Sequence, residues 1–338
     1  MAGIKDIAEL ADVSPRTVSR ALRGNGYVSR EKRQRIQRIA ENLNYTPNRT
    51  AQSLRYRRAN EIALIVWSVA SLQYNSEIYL EKIAALEKSL RPLGHVVKIR
   101  FAQCDGKSRE APWAVIEELK RERPLGVVMF PMEAGVSLNR LFALELERAD
   151  IPVVLLDSEP DPELSVVHID RPAGVYDAVT HLGRNGCKRI AYLGPPHTPH
   201  RLDGFNQAVQ DLQLHPDYIF IPAGRPQDYF RAAHDKVAEI VTRRIDAVQA
   251  YSDECALGVL TGLREQKMDV PGQVAVVGFD NRKAGLLAIP TLTTLAHPNR
   301  EAGEAAAKMI ARRIDNRENE PVGRTVTLPL KLVKRGSA

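Results

Sequence analysis

The stretch "ADVSPRTVSRALRGNG", residues 11–26, decides how the chain begins. Ala, Val and Leu recur at helical spacing, yet a proline stands among them. A proline inside a helix removes a backbone hydrogen bond and clashes with the preceding turn, so a helix here has to start beside Pro15. Ser14 then becomes the N-cap, and a short helix over about 15–22 is closed by Gly24 and Gly26. A second short helix, "IKDIAELA", lies upstream, with Asp12 and Val13 between the two. Two short helices joined by a tight turn predict a helix-turn-helix. Ile7, Ala8, Ala11, Val13, Val18 and Leu22 face inward, and "SREKRQRIQRIAENLNY" adds a third helix through Ile36, Ile39 and Leu43. Arg16, Thr17, Ser19 and Arg20 are left facing out.

Arginines on a helix face often do no more than keep it solvated. The distribution of charge argues for more here. Residues 1–60 hold thirteen Lys and Arg against five Asp and Glu, a net +8, whereas the whole chain is +7, which leaves −1 for residues 61–338. The excess positive charge is confined to the first sixty residues, as expected if that part meets a polyanion.

The chain of 338 residues is long enough for two or three domains. No stretch approaches the roughly 20 apolar residues of a membrane span, and the N-terminus is polar where a secretion signal is apolar, so a cytoplasmic protein is expected. Cys104, Cys187 and Cys255 are odd in number and have no Cys-x-x-Cys spacing. They read as core or near-core thiols, with neither a disulfide framework nor a metal site. Phosphate-loop, nucleophile-elbow and zinc-protease motifs are missing, and "GNGYVS" (24–29) follows a helix instead of a strand. His197, His200 and His215 have no evident nucleophile nearby and read as surface or packing residues. No cofactor is expected.

Beyond residue 60, apolar strand-like runs alternate with amphipathic helical stretches. Strands are predicted at 62–66, 95–99, 125–130, 152–157, 165–169, 189–194, 218–221, 247–251, 274–279 and 324–332. Continuous apolar strands separated by helices predict parallel sheets covered on both faces. Ten strands exceed one small sheet, and proline-marked breaks near Pro160–Pro162, Pro290 and Pro321 suggest that the chain crosses between two lobes. The expected division is a helix-turn-helix head (1–46), a hinge and linker (47–60) and a two-lobed core. Lobe one is placed at about 61–160 and 291–320, lobe two at about 161–290 and 321–338. A cleft between two such sheets is a natural ligand site.

The segment "IKDIAELADVSPRTVSRALRGNGYVSREKRQRIQRIAENLNYTPNRTAQSLR" resembles the head of the lactose-repressor/galactose-repressor family of bacterial transcription regulators. The remainder resembles that family's periplasmic-binding-protein-like core through "IPVVLLD", "GCKRIAYLGPP", "RLDGF", "DVPGQVAVVGFDN" and "PTLTTLAHPNREAGEAAAKMI". The resemblance implies an α/β core behind a three-helix head and a hinge helix. It places Pro15, Arg16 and Arg20 on base edges, in keeping with arginine as the usual partner of guanine. It places Ser14, Thr17, Ser19, Asn25, Tyr27 and Ser29 on phosphates. In "NRTAQSL" it implies a hinge helix with Asn48, Ala51, Leu54 and Arg55 at DNA, Leu54 as a minor-groove wedge. Read without the resemblance, Leu54 is more readily a core residue.

For the core, the resemblance implies ligand contacts at Arg201 and Asp280, and at Ser252 and Asp253, which stand where the family has an Asn-Asp pair. Asp253 could instead cap a helix beginning at Glu254. One departure follows the first core strand, where the family carries Pro-Asp-x-x-Asn-Pro-Phe-Phe and this chain has "WSVASLQYNSEIYLEKI". Trp67, Gln73, Tyr74 and Tyr79 become candidate lining residues, able to stack on a sugar or simply to pack.

These readings converge on a DNA-binding transcriptional regulator, a repressor, whose hold on double-stranded palindromic DNA is controlled by a small metabolite, a sugar or sugar derivative, between the lobes. A homodimer suits a palindrome, and "KLVKRGSA" adds no further leucine-rich helix for a tetramer. The rivals are a sugar-binding receptor without DNA activity, which predicts a secretion signal and no basic head, and an α/β metabolic enzyme, which needs a catalytic cluster.

Overall fold

The computed structural model describes residues 4–14, 17–18, 21, 30–43, 60–67, 76–102, 110–131, 136–224, 226–315 and 323–338. The chain divides into two compact units, Met1–Ala59 and Asn60–Ala338.

In the first unit, helices α1 (Ile4–Leu10) and α2 (Arg30–Asn42) flank the turn opened by the quoted stretch. Asp12 takes the left-handed conformation at φ 51°, which a short polar side chain tolerates, and turns the chain after α1. Ser14 Oγ then accepts the Thr17 amide at 3.1 Å, and its carbonyl accepts the Val18 amide at 3.1 Å. The serine is thus the cap that the proline required. Ile7, Ala8, Ala11, Val18 and Ile36 are buried together, with Val13, Ile39 and Leu43 at the margin. Ala21 and Ala40 join this core although periodicity did not single them out, because a three-helix core this small needs alanines at its close approaches. Leu22 lies outside the described residues.

The second unit holds two six-stranded sheets among the described residues. The first contains β1 (Glu61–Val66), β2 (Val96–Phe101), β3 (Gly126–Met129), β4 (Val153–Leu156), β5 (Ser165–Asp170) and β11 (Thr325–Pro329), in the order β11-β5-β4-β3-β1-β2, all parallel. Around it lie α3 (Ser76–Leu90), α4 (Glu110–Glu122), α5 (Val136–Arg148) and α12 (Asn299–Asp315). The second contains β6 (Arg189–Gly194), β7 (His215–Phe220), β8 (Ala247–Ala250), β9 (Ala275–Phe279), β10 (Thr293–Ala296) and β12 (Lys331–Val333), in the order β12-β10-β9-β8-β6-β7. Its helices are α6 (Arg171–Arg184), α7 (Pro199–Asp211), α8 (Pro226–His234), α9 (Val237–Thr242), α10 (Asp253–Glu265) and α11 (Ala284–Leu287). β1, β3 and β4 are buried almost throughout, as sheets covered on both faces require.

The lobe boundaries differ from those expected. Strand 165–170 pairs with β4 and belongs to lobe one, so the first crossing falls between Asp170 and Arg171 instead of at Pro160–Pro162. Strand 293–296, absent from the expected set, pairs with β9 in lobe two, and the second crossing is at His297 and Pro298. The single strand expected over 324–332 is two strands in different sheets, pairing with β5 and β10, with Leu330 alone between them. Proline breaks misled here because Pro160 and Pro162 sit in a loop inside lobe one, whereas pairing with a distant neighbour decides which sheet a strand joins.

Helices α3 and α12 pack tightly in lobe one, and Gly303 permits it. A Cβ at Gly303 would stand 2.3 Å from the Lys82 carbonyl and 2.8 Å from Ala85 Cβ. Gly303→Ala is therefore expected to lower unfolding free energy by about 1–3 kcal/mol through overpacking, measured by urea denaturation.

Candidate functional site

The ends of the strands in the second unit carry a set of charged and aromatic groups facing the junction of the lobes. Arg201, in the first turn of α7, has its guanidinium carbon 4.0 Å from the Tyr251 ring centroid and 4.2 Å from that of Phe279. Two aromatic rings thus lie against the cation, which favours its charge. Burial opposes its charge, yet Tyr251 and Asp280 hold its pKa above the ordinary arginine value. Its Nε is buried and has no hydrogen-bond partner.

Asp280 follows β9 with φ 115°, a conformation an L residue rarely adopts, and its amide donates to the Leu295 carbonyl at 2.8 Å. Strain of this kind clusters at functional sites. Its carboxylate meets His297 Nε2 at 3.2 Å. Burial lowers the His297 pKa, so the ring is neutral at neutral pH and donates from Nε2, which leaves Nδ1, buried and unpartnered, as an acceptor.

Lys82 of α3, 2% exposed, donates to Asp157 at 2.5 Å, and Arg171 at the first crossing donates to the other oxygen of Asp157 at 2.6 Å. Burial opposes the charge on Asp157, but Arg171 and Lys82 hold its carboxyl well below the usual carboxylate range. For Lys82, burial outweighs its partner and lowers the pKa. Asp280 acts electrostatically on both Lys82 and Arg201, which joins the groups from the two lobes.

Of these groups, Asp280 and His297 line a cavity of about 540 Å³. Glu77, Ile78 and Glu81 of α3 line it from lobe one, and Asp280, Arg282 and Lys283 from lobe two. One contact spans it between the lobes, Lys283 at 3.7 Å from Glu77, and within lobe one Asn299 donates to Glu81 at 2.9 Å.

Ser252 and Asp253 are committed internally. Ser252, not Asp253, caps α10, its Oγ accepting the Cys255 amide at 3.3 Å. Asp253 is fully buried, accepting the Arg282 amide at 2.5 Å and the Thr294 hydroxyl at 2.6 Å. It ties α10 to β10 and to the turn after Asp280. Trp67 is also core, packed on Phe142, which Trp113 meets edge-on. The Tyr79 ring lies against Phe130 at 4.6 Å, in the apolar layer of lobe one. Gln73, Tyr74 and Cys104 lie outside the described residues.

Of the DNA contacts expected, Ser14 and Thr17 are described, and Pro15, Arg16, Ser19, Arg20, Asn25, Tyr27, Ser29, Asn48, Ala51, Leu54 and Arg55 lie outside. Sequence reasoning missed Lys82, Asp157, Arg171 and His297. No local motif marks them, and only the tertiary fold brings them together. Among the described residues, no group of His, Cys, Asp or Glu is arranged to hold a metal ion, and no helix is long and apolar enough to cross a membrane.

A helix-turn-helix unit followed by a two-lobed core with a polar cleft defines a ligand-responsive DNA-binding regulator. Residues 3–48 match the family described as bacterial regulatory proteins, lacI family, and residues 179–338 match the periplasmic binding protein-like domain. The HTH-type transcriptional regulator DegA of Bacillus subtilis (strain 168) is 28% identical over 99% of this chain and 97% of its own length. The ribose operon repressor of Halalkalibacterium halodurans is 28% identical over 99% and 96%. The structure of the Lac repressor bound to ONPG in the repressed state superposes with a TM-score of 0.70 at 25% identity, covering 100% of this chain and 99% of that one. Over nearly its whole length this chain is thus similar to transcriptional regulators of the LacI/GalR family.

Burial, and then the nearby Asp280 charge, push the Asp253 carboxyl up to about 7. The folded state therefore holds a proton that the unfolded chain releases near 3.8, so this contribution to stability is full below about 4 and is lost as pH rises to about 7. Measured against Asp253→Asn, the stability of the native chain is expected to fall across that window and to level off above it, as read by chemical denaturation at stepped pH.

Proposed function

We propose that this protein is a sequence-specific transcriptional repressor whose affinity for its operator is set by a small molecule, a sugar or sugar derivative, bound between the lobes of its core. The observation that carries this reading is the union in one chain of a cationic helix-turn-helix unit and a cleft with Arg201 against two aromatic rings and Asp280 held in a strained turn. Its relatives carry the names transcriptional regulator and ribose operon repressor. The head spans 1–46 and the hinge 47–60, with Pro15, Arg16 and Arg20 on base edges and Leu54 in the minor groove. The ligand favours one arrangement of the lobes, and the hinge segments carry that preference to the DNA.

Two variants separate recognition from response. Arg20→Ala should cost about 1–3 kcal/mol on a selected operator and much less on random DNA. Arg201→Ala should retain operator affinity while losing the response to any sugar that stabilises the native chain. Fluorescence anisotropy with labelled operator checks both, and equal weakening on both DNAs by Arg20→Ala would reduce that residue to a phosphate contact.

Dimerisation has a physical basis in exposed apolar side chains. Leu287 and Ile289 are 84% and 79% exposed, beside Phe230 and a shallow depression lined by Leu257, Leu260 and Ala288. On lobe one the edge strand β2 exposes Val96, Ile99 and Phe101. Surfaces of this kind mark protein contacts, and a second copy would cover both. Leu287→Asp should yield a folded monomer by analytical ultracentrifugation and weaken operator binding by at least about tenfold, since half-sites are then read singly.

A further inference from the structure

We infer that Arg335, in the segment after β12, is a positioning residue for ligand binding: it holds Asn281 and, through that residue, keeps Asp280 in place on the wall of the cavity between the lobes. This rests on the proposed function, because Asp280 matters here as a group that meets the ligand. Asp280 and Asn281 are consecutive non-glycine residues with positive φ, 115° and 56°. A backbone of this kind persists only where its surroundings over-determine it. Asp280, Asn281, Arg282 and Lys283 all line the cavity, so whatever holds this turn shapes the wall that lobe two presents to a ligand.

The backbone of the turn is held through three successive amides. That of Asp280 donates to the Leu295 carbonyl at 2.8 Å, that of Asn281 to Thr294 Oγ1 at 3.3 Å and that of Arg282 to Asp253 at 2.5 Å. All three acceptors belong to β10 and α10. The Asn281 side chain is held from elsewhere: its Oδ1 accepts from Arg335 Nη2 at 2.6 Å, while Nη1 of the same guanidinium donates to the Leu292 carbonyl at 2.7 Å. One planar cation thus ties the turn to the residue that precedes β10, with two donors in a fixed fork. Arg335 is itself fixed on both sides. Before it, β12 pairs with β10, and its own amide donates to Thr293 Oγ1 at 2.8 Å. After it, Ser337 is fully buried, donating to the Val276 carbonyl at 2.6 Å and accepting the Thr293 amide at 2.9 Å.

The test uses variants of the full-length chain. Arg335→Gln removes the donor, and Asn281→Gly removes the acceptor while tolerating the positive φ. In amide hydrogen exchange, peptides covering 280–283 should exchange at least about tenfold faster in both variants than in the native chain, with β8 and α6 protected as before. Asn281→Asp, which keeps an acceptor for Arg335, should exchange as the native chain does. Calorimetry with glucose, ribose and cellobiose then reads the consequence. A sugar that binds the native chain should bind Arg335→Gln and Asn281→Gly at least about tenfold more weakly, and Asn281→Asp within about threefold. Unchanged exchange at 280–283 in folded variants would overturn the inference, and so would faster exchange throughout lobe two, which would make Arg335 a general support of that lobe. A sugar weakened by Arg335→Gln but not by Asn281→Gly would also overturn it, by putting Arg335 on the ligand itself. Should Arg335→Gln fail to fold, Asn281→Gly and Asn281→Asp, at an exposed position, carry both measurements. If none of the three sugars binds the native chain, it is the proposed sugar ligand that fails, and the exchange measurement still decides the role of Arg335.

Discussion

The core depends on the constraint that one chain must complete two sheets. It crosses between them three times, and every crossing is short: Asp170 to Arg171, His297 with Pro298, and Leu330. At the first, Asp170 also caps α6 by accepting the Ala173 amide at 3.0 Å, so the strand of one lobe runs straight into a helix of the other. At the third, the Leu330 side chain packs where a Cβ at Gly174 would stand, 2.5 Å away. The first and third crossings are packed against each other by this contact. Arg171 and His297, two of the polar groups at the cleft, are crossing residues themselves.

Two buried aspartates show how the same side chain serves different ends. Asp157 touches two cations, and its charge is held at all ordinary pH. Asp253 receives a hydroxyl and an amide but no cation, and burial keeps its proton up to about neutrality. Losing a partner of Asp157 would strand a charge, whereas Asp253 can respond by protonation. The first is a fixed electrostatic anchor between α3, the end of β4 and the first crossing. The second is a hydrogen-bonded brace within lobe two.

The parts legible in the sequence are those where local chemistry and the fold agree. Pro15 forced a helix start that Ser14 then supplied, and the apolar strands of both sheets stand out because parallel sheets bury both faces. The segment 324–332 was read as one strand because its pattern continues across Leu330, and nothing local says that its halves pair with strands more than 150 residues and about 35 residues away. Strand 293–296 was passed over because its Thr293 and Thr294 are polar, although both are buried by Ser337 and Asp253. Arg201 and Asp280 were found through resemblance, while Lys82, Asp157, Arg171 and His297 were not, since their partners lie 75, 14 and 17 positions off in sequence.

The packing of Phe142 has an optical consequence. The chain contains two tryptophans, Trp67 and Trp113, and both lie against that one ring in lobe one. Lobe two has no tryptophan, and its tyrosines include Tyr192 and Tyr251. Light absorbed by indole alone therefore excites emission from a single lobe, and the native chain carries its own reporter of that half. Compared with far-ultraviolet dichroism, which weighs both halves, this emission would tell whether the lobes melt together or in turn.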